Sequence, residues 1–331
     1  MLILSYLALA GVIVFAAHQL SIQLDIIDKK TKISGAVLGG LLLAAITSLP
    51  ELITSLTGAI YLDEGALSYG NVWGSNLFNV LIIAGVDIVF FKHLFFQKVK
   101  YPKEPLRYLF MMYMAFSIPV LFNYLGWVNL GEWTVTLGAS FNVASLVILG
   151  LYILSVRVLP TFDLSKDDVV ISSVKKPVIL FSLWAILVVA ASIGLTILSN
   201  ELAETYGLSK SFAGALLLGA ATSLPELTTV ISLFKLKSYT IALGNIVGSN
   251  LFNFLIIALT DLAVFRKDIW LEATRDAATL ENMTWLLLLG VLNTIILLVA
   301  LTFKRNTNKK WYYLIPGSIV LSYMLYLWVS V

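Results

Sequence analysis

The chain has 331 residues, 59% of them hydrophobic and only 12% charged, with a formal net charge of +3. Soluble globular proteins carry about 25% charged residues. That excludes a soluble enzyme, a nucleic-acid-binding module, a disordered chain and a secreted disulfide scaffold. There is no cysteine, which removes thiol chemistry, disulfides and cysteine metal sites.

At about 20 apolar residues per membrane-crossing helix, ten spans are expected: 2–24, 33–61, 66–91, 106–125, 133–156, 177–200, 211–234, 239–265, 282–303 and 311–330. The first begins at Leu2 with no basic stretch and shows no evident cleavage site before Asp25, so a retained span is expected rather than a signal peptide. Loops 1, 3, 5, 7 and 9 hold 18 of the 22 Lys and Arg, and the other loops hold 4. Cytoplasmic loops are enriched in these residues. The odd loops are therefore expected in the cytoplasm, with both termini outside the cell (plasma or inner) membrane.

Two segments occur twice. Residues 39–52, GGLLLAAITSLPEL, match 214–227, GALLLGAATSLPEL, at 11 of 14 positions; residues 70–84, GNVWGSNLFNVLIIA, match 244–258, GNIVGSNLFNFLIIA, at 12 of 15. The copies lie in spans 2–3 and 7–8. Five spans separate them, so they cross the membrane in opposite directions. The expected fold is all-α: two inverted five-helix repeats, 1–157 and 177–331, joined by a cytoplasmic linker at 158–176. The similarity is centred on 39–87 and 214–261. Secondary transporters are commonly built this way, with the ion site at mid-membrane where the repeats meet.

Both patches carry ion chemistry. Glu51 and Glu226 are the only acids deep inside any span, and an intramembrane carboxylate costs roughly 2.5–3.5 kcal/mol on insertion scales, so such acids mark ion pathways. Pro50 and Pro225 lack an N–H and are expected to break helices 2 and 7, freeing the carbonyls of Ile46 and Ala221. Thr47, Ser48, Thr222 and Ser223 add hydroxyls beside each carboxylate. In the second patch Ser75 and Asn79 share one helix face, as do Ser249 and Asn253, while Gly70 and Gly74 permit close backbone approach. All these groups are hard oxygen donors, which suit Ca²⁺, Na⁺ or Mg²⁺ rather than zinc or copper. Ca²⁺ takes about six to eight oxygens in a flexible cage, a count that two carboxylates and the freed carbonyls approach.

These motifs resemble the calcium/cation antiporter superfamily, whose hallmark is a pair of inverted α-repeats; the T-S-L-P-E form is similar to the sodium/calcium exchanger branch. The resemblance implies ion-binding positions at Ala44, Thr47, Ser48, Glu51, Ser75 and Asn79, and at Gly219, Thr222, Ser223, Glu226, Ser249 and Asn253, with Ala44 and Gly219 contributing backbone oxygen. It implies exchange of Ca²⁺ for Na⁺ by alternating access, with spans 1 and 6 sliding across the other eight. H⁺/Ca²⁺ exchange on the same fold and a passive cation channel are the alternatives. Ile46 and Ala221 stand where the family usually has Gly. Both amide positions are Asn where some relatives have Asp, which leaves one protonatable group fewer.

The ions and the lipid bilayer are the expected partners; no cofactor, enzyme activity, nucleic acid or protein partner is indicated. Asp87 and Asp261, also paired between the repeats, are read as anchors of helix ends rather than guards of the ion path. His18 is expected to pack or to reach the interface.

Overall fold

In a bilayer every backbone N–H and C=O must be satisfied within the protein, so long apolar runs have one open solution, the helix. The computed structural model describes residues 1–31, 45–90, 95–126, 134–136, 140–159, 174–264, 276–302 and 312–330. In the first half these form α1 (Leu2–Thr31), α2 (Leu49–Leu56) running into a π-helical turn at Thr57–Tyr61, α3 (Gly65–Val89), α4 (Phe95–Lys98), α5 (Glu104–Tyr124) and α6 (Val143–Val156). In the second they form α7 (Lys175–Tyr206), α8 (Lys210–Ala213), a π-helical turn at Gly214–Leu218, α9 (Gly219–Thr222), α10 (Leu224–Lys235), α11 (Tyr239–Ala263), α12 (Ala277–Thr302) and α13 (Leu314–Ser330).

Six helices among the described residues are long and apolar enough to cross a membrane: α1, α3, α5, α7, α11 and α12. The segments Lys210–Thr222 and Leu224–Lys235 form one broken span, bent by 41°. Helices α6 and α13 are shorter apolar helices. Of the span expected at 33–61, only the part from residue 45 onward is described.

One expectation needs correcting. The span at 133–156 is not helical throughout, because Thr134–Thr136 (β1) pairs antiparallel with Ser140–Asn142 (β2), Val135 opposite Phe141. Consecutive β-branched residues at 134–136 favour extended backbone. The Asn142 side chain then accepts the Ala144 N–H and starts α6. The regular structure of the described residues is otherwise helical.

Helices α3 and α11 are buried along most of their length and form the centre, packed against each other. Around them stand α5, α6, α12 and α13, with Trp73, Tyr113, Phe116 and Phe254 interlocked in edge and tilted ring contacts. Helices α1 and α7 form an outer pair, packed chiefly on each other and exposing most of their surface. Their contact with the centre is largely aliphatic: Ala10, Ile13, Ala191 and Leu195 meet Ala213, Leu218 and Ala221.

Asp87 and Asp261 anchor helix ends, as expected. Asp87 accepts from the Phe95 N–H at 3.1 Å and from the Tyr312 hydroxyl at 2.5 Å, just ahead of α13. Asp261 accepts from the Asn142 N–H at 2.9 Å and the Ser145 hydroxyl at 2.7 Å, at the start of α6. Each acid therefore ties the end of a central helix to the last helix of the opposite repeat. Tyr312→Phe removes a charge-assisted bond from a buried carboxylate, and an unfolding free energy lower by about 1.5–3 kcal/mol is expected. Denaturant melts in detergent check this; a change within error would show the tie to be dispensable.

Candidate functional site

Both duplicated T-S-L-P-E segments break at the serine. Ser48 (φ −89°, ψ 13°) and Ser223 (φ −84°, ψ 1°) leave helical geometry for one residue, and a new helix opens with the proline in its first turn. Pro tolerates that place because the N–H it lacks has no helical partner there. The helices restart with Leu52 N–H on the Ser48 carbonyl (3.1 Å) and Leu227 N–H on that of Ser223 (3.2 Å). The breaks expected at Pro50 and Pro225 thus fall two residues earlier. The carbonyl of Ala221 is not free, since the Ser223 N–H turns onto it.

These breaks place Glu51 and Glu226 in the first turn of α2 and α10, where the helix dipole favours a negative charge. Both are fully buried, and neither forms an ion pair with Lys or Arg among the described residues. Each instead faces hydroxyls of the other repeat. Ser223 points its hydroxyl at Glu51 Oε1 at 3.4 Å, and Ser48 does the same to Glu226 Oε1 at 3.4 Å. Ser249 donates to Glu226 Oε1 at 3.1 Å. Thr47 meets Ser249 at 3.4 Å and, in the mirrored position, Thr222 meets Ser75 at 3.4 Å.

The asparagines complete the exchange. Asn79 donates its amide to Asn250 Oδ1 at 2.9 Å, and Asn253 donates to Asn76 Oδ1 at 3.0 Å. Apart from Ser249–Glu226, which lies within repeat 2, each of these pairs joins a residue of one repeat to a residue of the other, and swapping the repeats maps those pairs onto one another. That is the contact pattern of a two-fold axis.

Four buried oxygens at the expected positions accept no hydrogen bond: Glu51 Oε2, Glu226 Oε2, Asn79 Oδ1 and Asn253 Oδ1, two from each repeat. In both asparagines the amide nitrogen is committed across the repeats, which fixes the free atom as oxygen. An unpaired buried acceptor is costly, and a carboxylate far more so. These four oxygens, and the hydroxyls that face the carboxylates at 3.1–3.4 Å rather than the usual 2.7–2.8 Å of an O–H···O bond, are chemistry suited to a desolvated hard cation.

Close helix contact holds the halves together. A Cβ on Gly74 would collide with the Ala215 backbone, one on Gly70 with the Ser211 carbonyl, and one on Gly219 would lie 2.8 Å from the Ser75 nitrogen. Helix α3 therefore lies backbone to backbone on the segment 211–219. There the Ser75 hydroxyl reaches the Gly219 carbonyl at 3.3 Å.

Thr47, Ser48, Glu51, Ser75, Gly219, Thr222, Ser223, Glu226 and Ser249 fall in one buried cluster, and Asn79 and Asn253 are buried one turn farther along α3 and α11 from Ser75 and Ser249, bonded to Asn250 and Asn76. Ala44 lies outside the described residues. His18 is exposed on α1, far in sequence from any of these groups. Three residues bonded to these groups were not singled out from the sequence. Asn76 and Asn250 are the cross-repeat partners of Asn253 and Asn79. Asn71 donates to the Glu51 carbonyl (3.1 Å), Thr54 Oγ1 (2.7 Å) and Ser55 Oγ (2.9 Å), bracing α2 on α3. Their signal was the presence of each amide in both copies.

Comparison with known proteins matches residues 1–159 and 176–331 to the family model described as sodium/calcium exchanger protein. The inner membrane protein YrbG of Escherichia coli is 26% identical over 272 residues, covering 78% of each chain. CaxA of Alkalimonas amylolytica, whose name describes an antiporter, is 26% identical over 325 residues, covering 89% of this chain and 93% of its own. Among solved structures, the H⁺/Ca²⁺ exchanger CAX superposes with a TM-score of 0.62 at 14% identity, covering 99% of this chain and 88% of its own. The sodium-calcium exchanger NCX_Mj superposes with a TM-score of 0.51 at 18% identity, covering 98% of this chain and 99% of its own. At such identities the structural likeness shows the fold.

Proposed function

We propose that this chain, which belongs to the sodium/calcium exchanger protein family, exchanges Ca²⁺ against Na⁺ through the site shared by its two repeats. It is a membrane cation antiporter, not an enzyme. The observation that carries the assignment is the set of four unpaired buried oxygens, two of them carboxylates, donated equally by both repeats. Two carboxylates give the site a charge of −2 at full ionisation, which one Ca²⁺ or two Na⁺ would neutralise. Alternate binding of these cargoes is the requirement of exchange, since an empty site leaves both charges buried.

Glu51 and Glu226 would clasp Ca²⁺ from either side. Thr47, Ser48, Ser75, Thr222, Ser223 and Ser249 would supply the smaller oxygen sets for Na⁺, together with Asn79, Asn253 and the backbone oxygens of Ala44 and Gly219. The outer pair α1 and α7 meets the centre largely through aliphatic side chains, with the Tyr6 hydroxyl on the Leu217 carbonyl (2.7 Å) among the few directional bonds to break. Sliding of that pair would open the site to one side and then the other. With the basic loops in the cytoplasm, both termini face outside.

Counter-ion substitution in proteoliposomes tests the coupling. ⁴⁵Ca²⁺ efflux is expected to follow an opposing Na⁺ gradient and to cease when K⁺, Li⁺ or choline replaces Na⁺. Efflux driven by a pH jump in sodium-free buffer would replace Na⁺ by H⁺ in this account. Conduction without any opposing gradient would indicate a channel.

A further inference from the structure

The two repeats differ most sharply at the matched asparagines Asn71 and Asn245. In repeat 1, Asn71 is fully bonded: its amide binds the Glu51 carbonyl, Thr54 and Ser55, and its Oδ1 accepts from Thr222 at 3.4 Å. The nearby Ser68 adds a bond to the Ser55 carbonyl at 2.7 Å. In repeat 2 the counterpart of Asn71 is Asn245, while Ser55 becomes Val230 and Ser68 becomes Ala242. Thr229, the counterpart of Thr54, binds the Pro225 carbonyl at 3.0 Å much as Thr54 binds that of Pro50 at 2.9 Å, but it accepts nothing from Asn245. Asn245 is only 4% exposed, yet neither its Nδ2 nor its Oδ1 has a hydrogen-bond partner.

Position gives the unused amide a direction. Asn245, Ser249 and Asn253 are spaced four apart and share one stripe of α11, which rises about 6 Å per step. Ser249 touches Glu226, and Asn253 carries one of the unpaired oxygens. Asn245 lies on the same stripe, toward the end of α11 that follows Lys235 and Lys237. The stripe thus runs from that membrane face to Ser249, which touches Glu226. An amide oxygen is a hard ligand of the kind Ca²⁺ takes, and burying the amide without partners is unfavourable unless something binds it in part of the cycle.

We propose that Asn245 is a transient cation ligand on the path between the Glu226 carboxylate and the membrane face bearing Lys235 and Lys237, a role its counterpart Asn71 has exchanged for bracing α2. The proposal rests on the transport function assigned above. It makes the two half-paths unequal: one has an extra oxygen ahead of the carboxylate and the other does not.

The test is ⁴⁵Ca²⁺ transport in proteoliposomes, with the half-saturating Ca²⁺ concentration measured separately on each face. Because the chain lacks cysteine, a single Lys237→Cys label reports orientation. Asn245→Val is expected to raise the half-saturating Ca²⁺ about tenfold on the Lys237 face while leaving the other face and the melting temperature close to wild type. Asn245→Asp, which keeps an oxygen there, is expected to restore Ca²⁺ affinity on that face. Asn71→Val is expected instead to lower the melting temperature. An unchanged Ca²⁺ dependence in Asn245→Val, an equal change on both faces, or a melting loss like that of Asn71→Val would overturn the assignment while leaving exchange intact. Wild-type vesicles that carry no ⁴⁵Ca²⁺ under any gradient would instead refute the transport function, and this assignment with it.

Discussion

Glu51→Gln and Glu226→Gln are each expected to abolish Na⁺-driven ⁴⁵Ca²⁺ uptake while making the cation-free protein more heat-stable. The two effects share one cause. Each carboxylate is fully buried, with one oxygen facing hydroxyls at 3.1–3.4 Å and the other unpaired. Without a cation these charges are held against solvation, so removing one relieves the empty protein. With a cation bound, removing one partner of a buried charge pair costs about 3–5 kcal/mol, more than about 100-fold in affinity. Uptake assays and melts with and without Ca²⁺ read both signs. A Gln variant that melts below wild type in the absence of cations, or that still transports, would contradict the assigned role.

Gly74→Val is expected to destabilise the fold severely, because its side chain would enter the backbone of Ala215. Helix α3 would have to move away from 211–219, pulling Ser75 from the Gly219 carbonyl and from Thr222. Overpacking in a flexible core costs about 1–3 kcal/mol. Here backbone meets backbone with no rotamer to yield, so the loss is expected at or above about 3 kcal/mol. Gly85 lies on the same helix with nothing within 4 Å of an added Cβ. Gly85→Ala is therefore expected to be neutral or to gain up to about 1 kcal/mol from helix propensity. Equal melting temperatures for Gly74→Ala and Gly85→Ala would remove the close contact from the account.

Much of the site was legible because its chemistry appears twice. An isolated Pro50 or a lone Thr-Ser pair has ordinary packing roles, but a buried Glu beside both in two copies does not. Six of the expected spans and the broken one were legible from apolar length alone among the described residues, although the start of α6 was missed because β1 and β2 lie inside a stretch whose hydropathy does not distinguish strand from helix. The cross-repeat asparagine bonds were not legible. Spacing within α3 places Asn76 and Asn79 on helix faces, yet says nothing of Asn250 or Asn253 on a helix about 175 residues away. The difference between Asn71 and Asn245 was hidden for a related reason. The sequence shows Val230 in place of Ser55, but only the packed helices show that Ser55 was a partner of Asn71.

The central claim is that Glu51 and Glu226 jointly hold the transported cation. Equilibrium binding of ⁴⁵Ca²⁺ to the purified protein, followed by titration with Na⁺, tests it most directly. Saturable binding in the wild type, displaced by Na⁺ and lost in both Glu51→Gln and Glu226→Gln, is the predicted result. Ca²⁺ binding that survives neutralisation of both carboxylates would contradict it.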